Sequence, residues 1–419
     1  MRQFLEGRKT MKGREIPGWA KPSTHKAIIT ISCGWFLLVF ARVATGAEAK
    51  VLSGHVPSAV TDLHLQPIGT LPATNHLQLA IGLPLRDQVA LTKLLQDLYD
   101  PSSPSFHHYL TPEQFTEMFG PTEADYQALI DFTRTHGLQV DRTYGNRVLL
   151  DVSGAVSDIE KTFHVALRIY QHPTEARRFF APDVEPSVDT SVPILHVSGL
   201  DNYAIPRPAV HRGPSTGSAI PGSGSAPGGY YRGYDFRNAY VPNTTLNGSN
   251  QMVGLLEFDG YYTNDIISYE NQCGLPNVPL QNVLLDGFSG YPSTNEDSVA
   301  EVSLDIEMVI SMAPGLAKVV VFEGEYWNDI LNSMAANSQI KQLSSSWGYW
   351  GEAPDLTADQ IFEEMIAQGQ SFFQASGDAD AWCDGIWWPG DDPYLTSVGG
   401  TELNMNGSGA SYASEASST

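Results

Sequence analysis

The chain has 419 residues, more than one hydrophobic core usually organises, so two or more domains are expected. Hydrophobic residues make up 42% and charged residues 17%, with 38 Gly and 27 Pro, which excludes wholesale disorder and indicates a globular protein with many turns. The formal net charge of −23 is unevenly placed: residues 230–419 carry 26 Asp+Glu against 4 Lys+Arg, a surface that repels nucleic acid and anionic membrane and loses its self-repulsion in acid.

Residues 1–49 read as an export signal. Lys21 and Lys26 precede an apolar run from Ala27 to Phe40, and Ala47-Glu48-Ala49 supplies a small-x-small cleavage site. The run falls short of the ~20 residues a spanning helix needs. The expectation is therefore a secreted protein without stable membrane insertion, an uncleaved anchor being the alternative. Cys33 leaves with the signal, while Cys273 and Cys383 remain in an oxidising compartment with their pairing open.

Residues 50–206 pattern as a compact α+β domain. Leu91, Leu94, Leu95 and Leu98 lie at i, i+3, i+4 and i+7, which predicts a helix. Leu77-Leu79-Ile81 and Val148-Leu150-Val152 alternate as half-buried strands do. Thr111-Pro112-Glu113 and Pro121-Thr122-Glu123 read as helix starts with an acid in the first turn. A helix over 154–163 leads into a strand from His164 to Tyr170. Residues 207–229, RPAVHRGPSTGSAIPGSGSAPGG, lack large apolar groups, so they read as a linker, a domain boundary and a place for proteolytic processing.

Residues 230–419 alternate apolar strands (Val253–Phe258, Val283–Leu285, Val319–Phe322, Leu343–Ser346, Phe372–Ala375) with helices at 298–312, 327–337 and 357–369. That pattern predicts a parallel sheet covered on both faces. All eleven histidines lie at or before His211, so a base drawn from this segment must be a carboxylate, a lysine or something rarer.

Glu301 and Asp305 stand four apart in SVAEVSLDIEMVISMAPG, hence on one helix face, beside the stripe Val302, Ile306, Val309 and Ile310. No Lys or Arg lies within a turn of either, so mutual repulsion should raise one pKa. A solvated acidic face at a helix start is the plainer alternative. Asp378 follows a strand ending in Ala375-Ser376-Gly377, where open α/β sheets place ligands; protonated, it can donate to an oxyanion, and otherwise it is a turn residue. Asp380, Asp384, Asp391 and Asp392 suggest a cation loop but lack its periodicity. Ser346-Trp347-Gly348 ends another strand, and its Gly admits a second backbone, such as a substrate strand.

Together these features resemble the sedolisin (serine-carboxyl peptidase) family. LPLRDQVALTKLLQDLYDPSSPSFHHYLTPEQFTEMFGPT resembles its kumamolisin-type activation domain, and Glu301, Asp305, Ile306 and Glu307 match its Glu-x-x-x-Asp-Ile-Glu pattern. The resemblance implies a ferredoxin-like α+β activation domain ahead of an incomplete subtilisin-like α/β domain at residues 230–419. It also implies a secreted, acid-acting serine-type endopeptidase precursor that cleaves protein or peptide substrates and is inhibited by its own activation domain. In that reading Glu301 is the general base, Asp305 orients it, Asp378 supports the oxyanion, and Ser346, Trp347 and Gly348 hold substrate. Ala379-Asp380 depart from the family's Ser-Gly continuation. The family's nucleophile, in a Ser-Gly-Thr-Ser motif, and its calcium site are expected beyond residue 419, so the chain as written is expected to be inactive. A non-catalytic binding or inhibitory protein is the alternative from another class.

Overall fold

The computed structural model describes residues 49–189, 191–208, 223–350, 355–378 and 387–417. The apolar run 27–40, residues 209–222 of the linker, and Asp380, Cys383 and Asp384 lie outside the described residues. No helix among the described residues is long and apolar enough to cross a membrane.

The first half begins its main sheet with β1 (His76–Gly82), whose last four residues are buried. Helix α1 (Gln88–Tyr99) starts where the Asp87 side chain accepts the Ala90 N–H, and it buries Leu91, Leu95 and Leu98. Helix α2 (Pro112–Met118) opens on a capping box between Thr111 and Gln114. Helix α3 (Glu123–Thr135) is capped by Thr122, with Glu123 and Asp125 in its first turn. The hairpin β2 (Gln139–Thr143) and β3 (Leu149–Ala155) follows. Helix α4 (Val156–Phe163) starts two residues later than the sequence pattern suggests, because residues through Ala155 are engaged in the ladder opposite His76.

Strands β4 (Leu167–Gln171) and β5 (Arg178–Pro182) pair in a side sheet, and β6 (His196–Ser198) closes the main sheet. Its order is β2-β3-β1-β6, antiparallel throughout. Leu79, Ile81, Leu129, Leu150, Val152, Ile159, Phe163 and Val197 form its core. Each such side chain contributes roughly 1.5–3 kcal/mol of burial. The next strand, β7 (Arg207–Pro208), lies at the start of the expected linker.

The second half is a six-stranded parallel sheet. In chain order its parts are β8 (Met252–Glu257), α5 (Thr263–Cys273), β9 (Leu280–Leu284), α6 (Glu296–Met312), β10 (Lys318–Glu323), α7 (Trp327–Ala335), β11 (Gln342–Ser345), the short β12 (Trp347–Trp350), α8 (Leu356–Ala367), β13 (Ser371–Ala375), the short β14 (Trp387–Trp388) and β15 (Thr396–Val398). The strand order is β9-β10-β8-β11-β13-β15. Val319, Val321, Phe322, Leu343 and Phe372 from the strands pack with Val302, Ile306, Ile330, Leu331 and Phe362 from the helices. Burial on both faces explains why these strands read as continuous apolar runs.

The two halves meet along α8. Leu85 N–H donates to Gln360 Oε1 at 2.6 Å, Gln360 Nε2 donates to Leu83 O at 3.1 Å, and Leu110 N–H donates to Ala367 O at 2.9 Å. Ala367 is buried among Leu91, Leu95 and Phe115 of the first half. The approach leaves no room at Gly82, where a Cβ would stand 2.0 Å from Thr357 Oγ1.

The expected linker 207–229 is structured at both described ends. Arg207 and Pro208 pair antiparallel with Gly348 and Trp347, while the Ser223 hydroxyl meets the Tyr231 hydroxyl at 2.9 Å. Backbone pairing needs no apolar side chain, so a composition poor in them does not prevent it.

Candidate active site

Glu257 is the last residue of β8 and is wholly buried; Ser346 leaves the ladder just after β11, and Asp378 stands three residues past β13. All three lie at the carboxyl edge of the parallel sheet, and α6 brings Glu301 and Asp305 to them. Helix α6 is held at its start by Asn295, whose side chain accepts the N–H groups of Asp297 and Ser298.

The Ser346 hydroxyl donates to Asp305 Oδ1 at 2.7 Å. The Trp347 indole Nε1–H donates to Glu257 Oε2 at 2.7 Å. Glu257 and Asp305 lie against one another, and each perturbs the other's protonation. The other oxygens, Glu257 Oε1, Glu301 Oε2 and Asp305 Oδ2, are sealed from solvent and have no partner. Trp347, Ser346 and the acids thus lie together in one enclosed cluster of donors and acceptors.

Electrostatics follow from this enclosure. Burial pushes Glu301 up to about 8, with the nearby Asp305 and then Asp378 adding to the rise and the Ser346 hydroxyl opposing it. Burial raises Asp305 to about 6 against the lowering effect of Ser346 and Glu257. Glu257 stands well above the usual carboxylate range, chiefly through burial and then Asp305. No cation enters any of these balances. A cluster that cannot ionise fully at once holds protons and can pass them between neighbours, which is the property an acid/base centre needs.

The structure therefore brings together Glu301, Asp305 and Ser346, places Asp378 close enough to act on Glu301, and puts Trp347 and Gly348 in the strand that pairs with Arg207–Pro208. Gly348 has to be small there, since a Cβ would lie 2.2 Å from Trp387 Nε1. Glu307, in the same motif, faces away: burial and Asp265 raise it to about 7.

Sequence reasoning gave Glu257 no role. The signal was an acid inside a run of buried strand residues, GLLEF, where an unpaired charge is not tolerated. Its neighbour in register, Glu323 of β10, carries the same mark; burial and then Asp259 raise it to about 8, and Asn282 Nδ2 donates to it at 2.8 Å. Asp392 Oδ1 accepts the Tyr394 N–H at 2.6 Å, and its carboxyl lies near that of Asp359 in α8. Among the described residues no group of three or more His, Cys, Asp or Glu is arranged to hold a metal ion. Cys273 carries a free thiol.

Residues 64–203 match the family model described as Pro-kumamolisin, activation domain. The chain is 26% identical to sedolisin of Pseudomonas sp. (strain 101) over 390 residues, covering 86% of this chain and 65% of that protein. It is 27% identical to kumamolisin of Bacillus sp. (strain MN-32), covering 72% and 58%, and 24% identical to xanthomonalisin of Xanthomonas sp. (strain T-22), covering 81% and 47%. The chain thus spans from about half to just under two thirds of the length of these relatives. A solved structure of Pseudomonas sedolisin, a serine-carboxyl proteinase complexed with two molecules of pseudo-iodotyrostatin, aligns at TM-score 0.39 and 21% identity over 44% of this chain and 58% of that one. The chain thus carries a Pro-kumamolisin activation domain and, across most of its length, is similar to sedolisin and its relatives.

Proposed function

We propose that the chain is the precursor portion of a secreted, acid-acting serine-type endopeptidase that hydrolyses peptide bonds in protein substrates. The observation that carries this reading is the proton-sharing set Glu257, Asp305 and Glu301, enclosed at the carboxyl edge of the sheet and bounded by Asp378. In the proposed reaction the cleft opens and water reaches Glu301, which relieves the burial that holds its proton; the ionised Glu301 then takes the proton from an attacking serine hydroxyl and returns it to the leaving amine. Asp305 orients Glu301 and, through Glu257, is tied to the Trp347 indole. Asp378 supports the oxyanion. The reading also takes a serine nucleophile and a calcium site, and assigns neither to a residue of this sequence.

The antiparallel order β2-β3-β1-β6 with helices between strands supports a ferredoxin-like activation domain. Its exit strand, Arg207–Pro208, lies along Trp347–Gly348 where a substrate strand would run, which supports inhibition by occupancy of the cleft and processing within 207–229.

The test is self-processing of the chain extended by its downstream sequence. Cleavage within 207–229 at acidic pH is expected, slowed at least a hundredfold by Glu301→Ala, the order of loss for removing a general base. An extended protein that stays intact at every acidic pH, or a Glu301→Ala variant that cleaves as fast as wild type, overturns the proposal and favours a non-catalytic inhibitory protein.

A further inference from the structure

His55 sits between the strand Ala49–Val51 and the helix Ser58–Asp62, with its ring buried. Both ring nitrogens are committed. Nδ1 lies 3.1 Å from Leu52 O, and Nε2 accepts the backbone N–H of Val197 in β6 at 3.0 Å. An amide can only donate, so Nε2 must be bare and the proton must reside on Nδ1.

The ring stacks on His196 with centroids 4.2 Å apart and planes inclined by 22°. His196 Nε2 in turn lies 3.9 Å from Asp355 Oδ2, on the other half of the molecule. Asp355 caps α8 through the Thr357 N–H at 2.9 Å, and it takes the Ser198 hydroxyl and Asn328 Nδ2, each at 2.7 Å. Burial alone would raise Asp355, but His196 and these donors bring it below its ordinary range. A cavity of about 310 Å³ adjoins the stack, lined also by Asp201, Glu325, Tyr326 and Tyr349.

We propose that the His55–His196 stack is an acid-labile latch, by which a proton entering at His55 Nε2 releases the N-terminal segment 49–62 from β6 and loosens the grip of the first half on α8.

The chemistry of the pocket carries this. A proton on Nε2 sets N–H against N–H, so Val197 loses its acceptor and a buried charge appears 4.2 Å from a second imidazole. The surroundings offset it only in part. Glu185 Oε2 lies 3.8 Å from Nδ1 but already accepts the His55 backbone N–H at 2.9 Å. Asp355 lies beyond His196, and Lys50 is engaged with Ile194 O at 2.8 Å. Burial first, and then His196, hold His55 down at about 3. The opened segment regains an ordinary imidazole near 6.5, so acid favours opening by about a hundredfold at pH 4.5. Elsewhere on the same interface Asp151, beside Asp329, is raised by burial to about 6 and takes up a proton in acid, so the effect is read as a difference between wild type and variant.

The latch rests on the zymogen reading only for its consequence, release of an inhibitory domain; the following experiment involves no peptidase activity, so either idea can fail alone. Hydrogen–deuterium exchange of the 419-residue chain is followed from pH 7 to pH 4.5, corrected for intrinsic rates, alongside His55→Gln, which can offer Val197 an acceptor without titrating. Wild type is expected to lose about a hundredfold of protection over residues 49–62 and 195–199 relative to the variant. Equal pH dependence in the two proteins overturns the proposal. Should the variant not fold, the His55 imidazole resonance in wild type decides: a midpoint near 3–4 supports the latch, and one at 6 or above overturns it.

Discussion

Glu364 of α8 offers a test of how buried carboxyls make stability depend on pH. It has no solvent exposure, and its oxygens accept Asn146 Nδ2 at 2.9 Å, from the first half, and Gln368 Nε2 at 2.8 Å. Burial raises it from an ordinary 4.5 to about 7 against those two hydrogen bonds. The folded chain therefore holds this proton more tightly than the unfolded chain. The associated stability is complete below about 4.5 and is lost as pH rises through about 7, a total of about 3 kcal/mol. The protonated form also has an acceptor at hand, since Gln368 Oε1 is buried without a partner and turning its amide over presents that oxygen to Glu364. Glu364→Gln keeps the shape and removes the titration. Urea unfolding at pH 4.5, 6 and 8 should show the variant within about 1 kcal/mol of wild type in acid. By pH 8 wild type should have fallen about 3 kcal/mol further than the variant over the same range. Parallel curves for the two proteins would refute the reasoning.

Gly82→Ala should reduce the unfolding free energy by about 1–3 kcal/mol and lower the urea midpoint accordingly, because the new methyl meets Thr357 Oγ1 at 2.0 Å where the two halves touch; an unchanged midpoint would mean the contact yields without cost. Trp347→Phe keeps a ring beside Phe258 but deletes the indole donor to Glu257. The expected loss is about 1–3 kcal/mol, because Glu257 Oε2 is left buried without its donor. An unchanged stability in urea unfolding would contradict the donor's role.

What the sequence makes legible here is local. Thr111 and Thr122 cap helices as their motifs suggest, because a cap involves residues three positions apart. Glu301 and Asp305 share a face because the helical period puts them there. What stays hidden is set by long-range adjacency. Nothing local says that β8 lies between β10 and β11, and only that order brings Glu257 to Asp305 and Trp347, and beside Glu323. The contact of Asn146 with Glu364, 218 positions apart, is hidden for the same reason. Strand β7 escaped because its pairing is made by backbone groups that composition does not report.

The same long-range contacts give the two halves opposite responses to acid. Glu257, Glu301, Asp305 and Glu323 all belong to the parallel sheet and its helix α6, and burial raises each of them, so protonation favours that half's folded form. His55 belongs to the first half and is held neutral, so its folded form is disfavoured as pH falls from about 6.5 towards about 3. A chain built this way needs no separate trigger to shift the balance between its halves. Acidification strengthens the part that carries the proton-sharing carboxyls, while at His55, and against the proton uptake of Asp151, it weakens the hold of the part whose exit strand lies across Trp347 and Gly348.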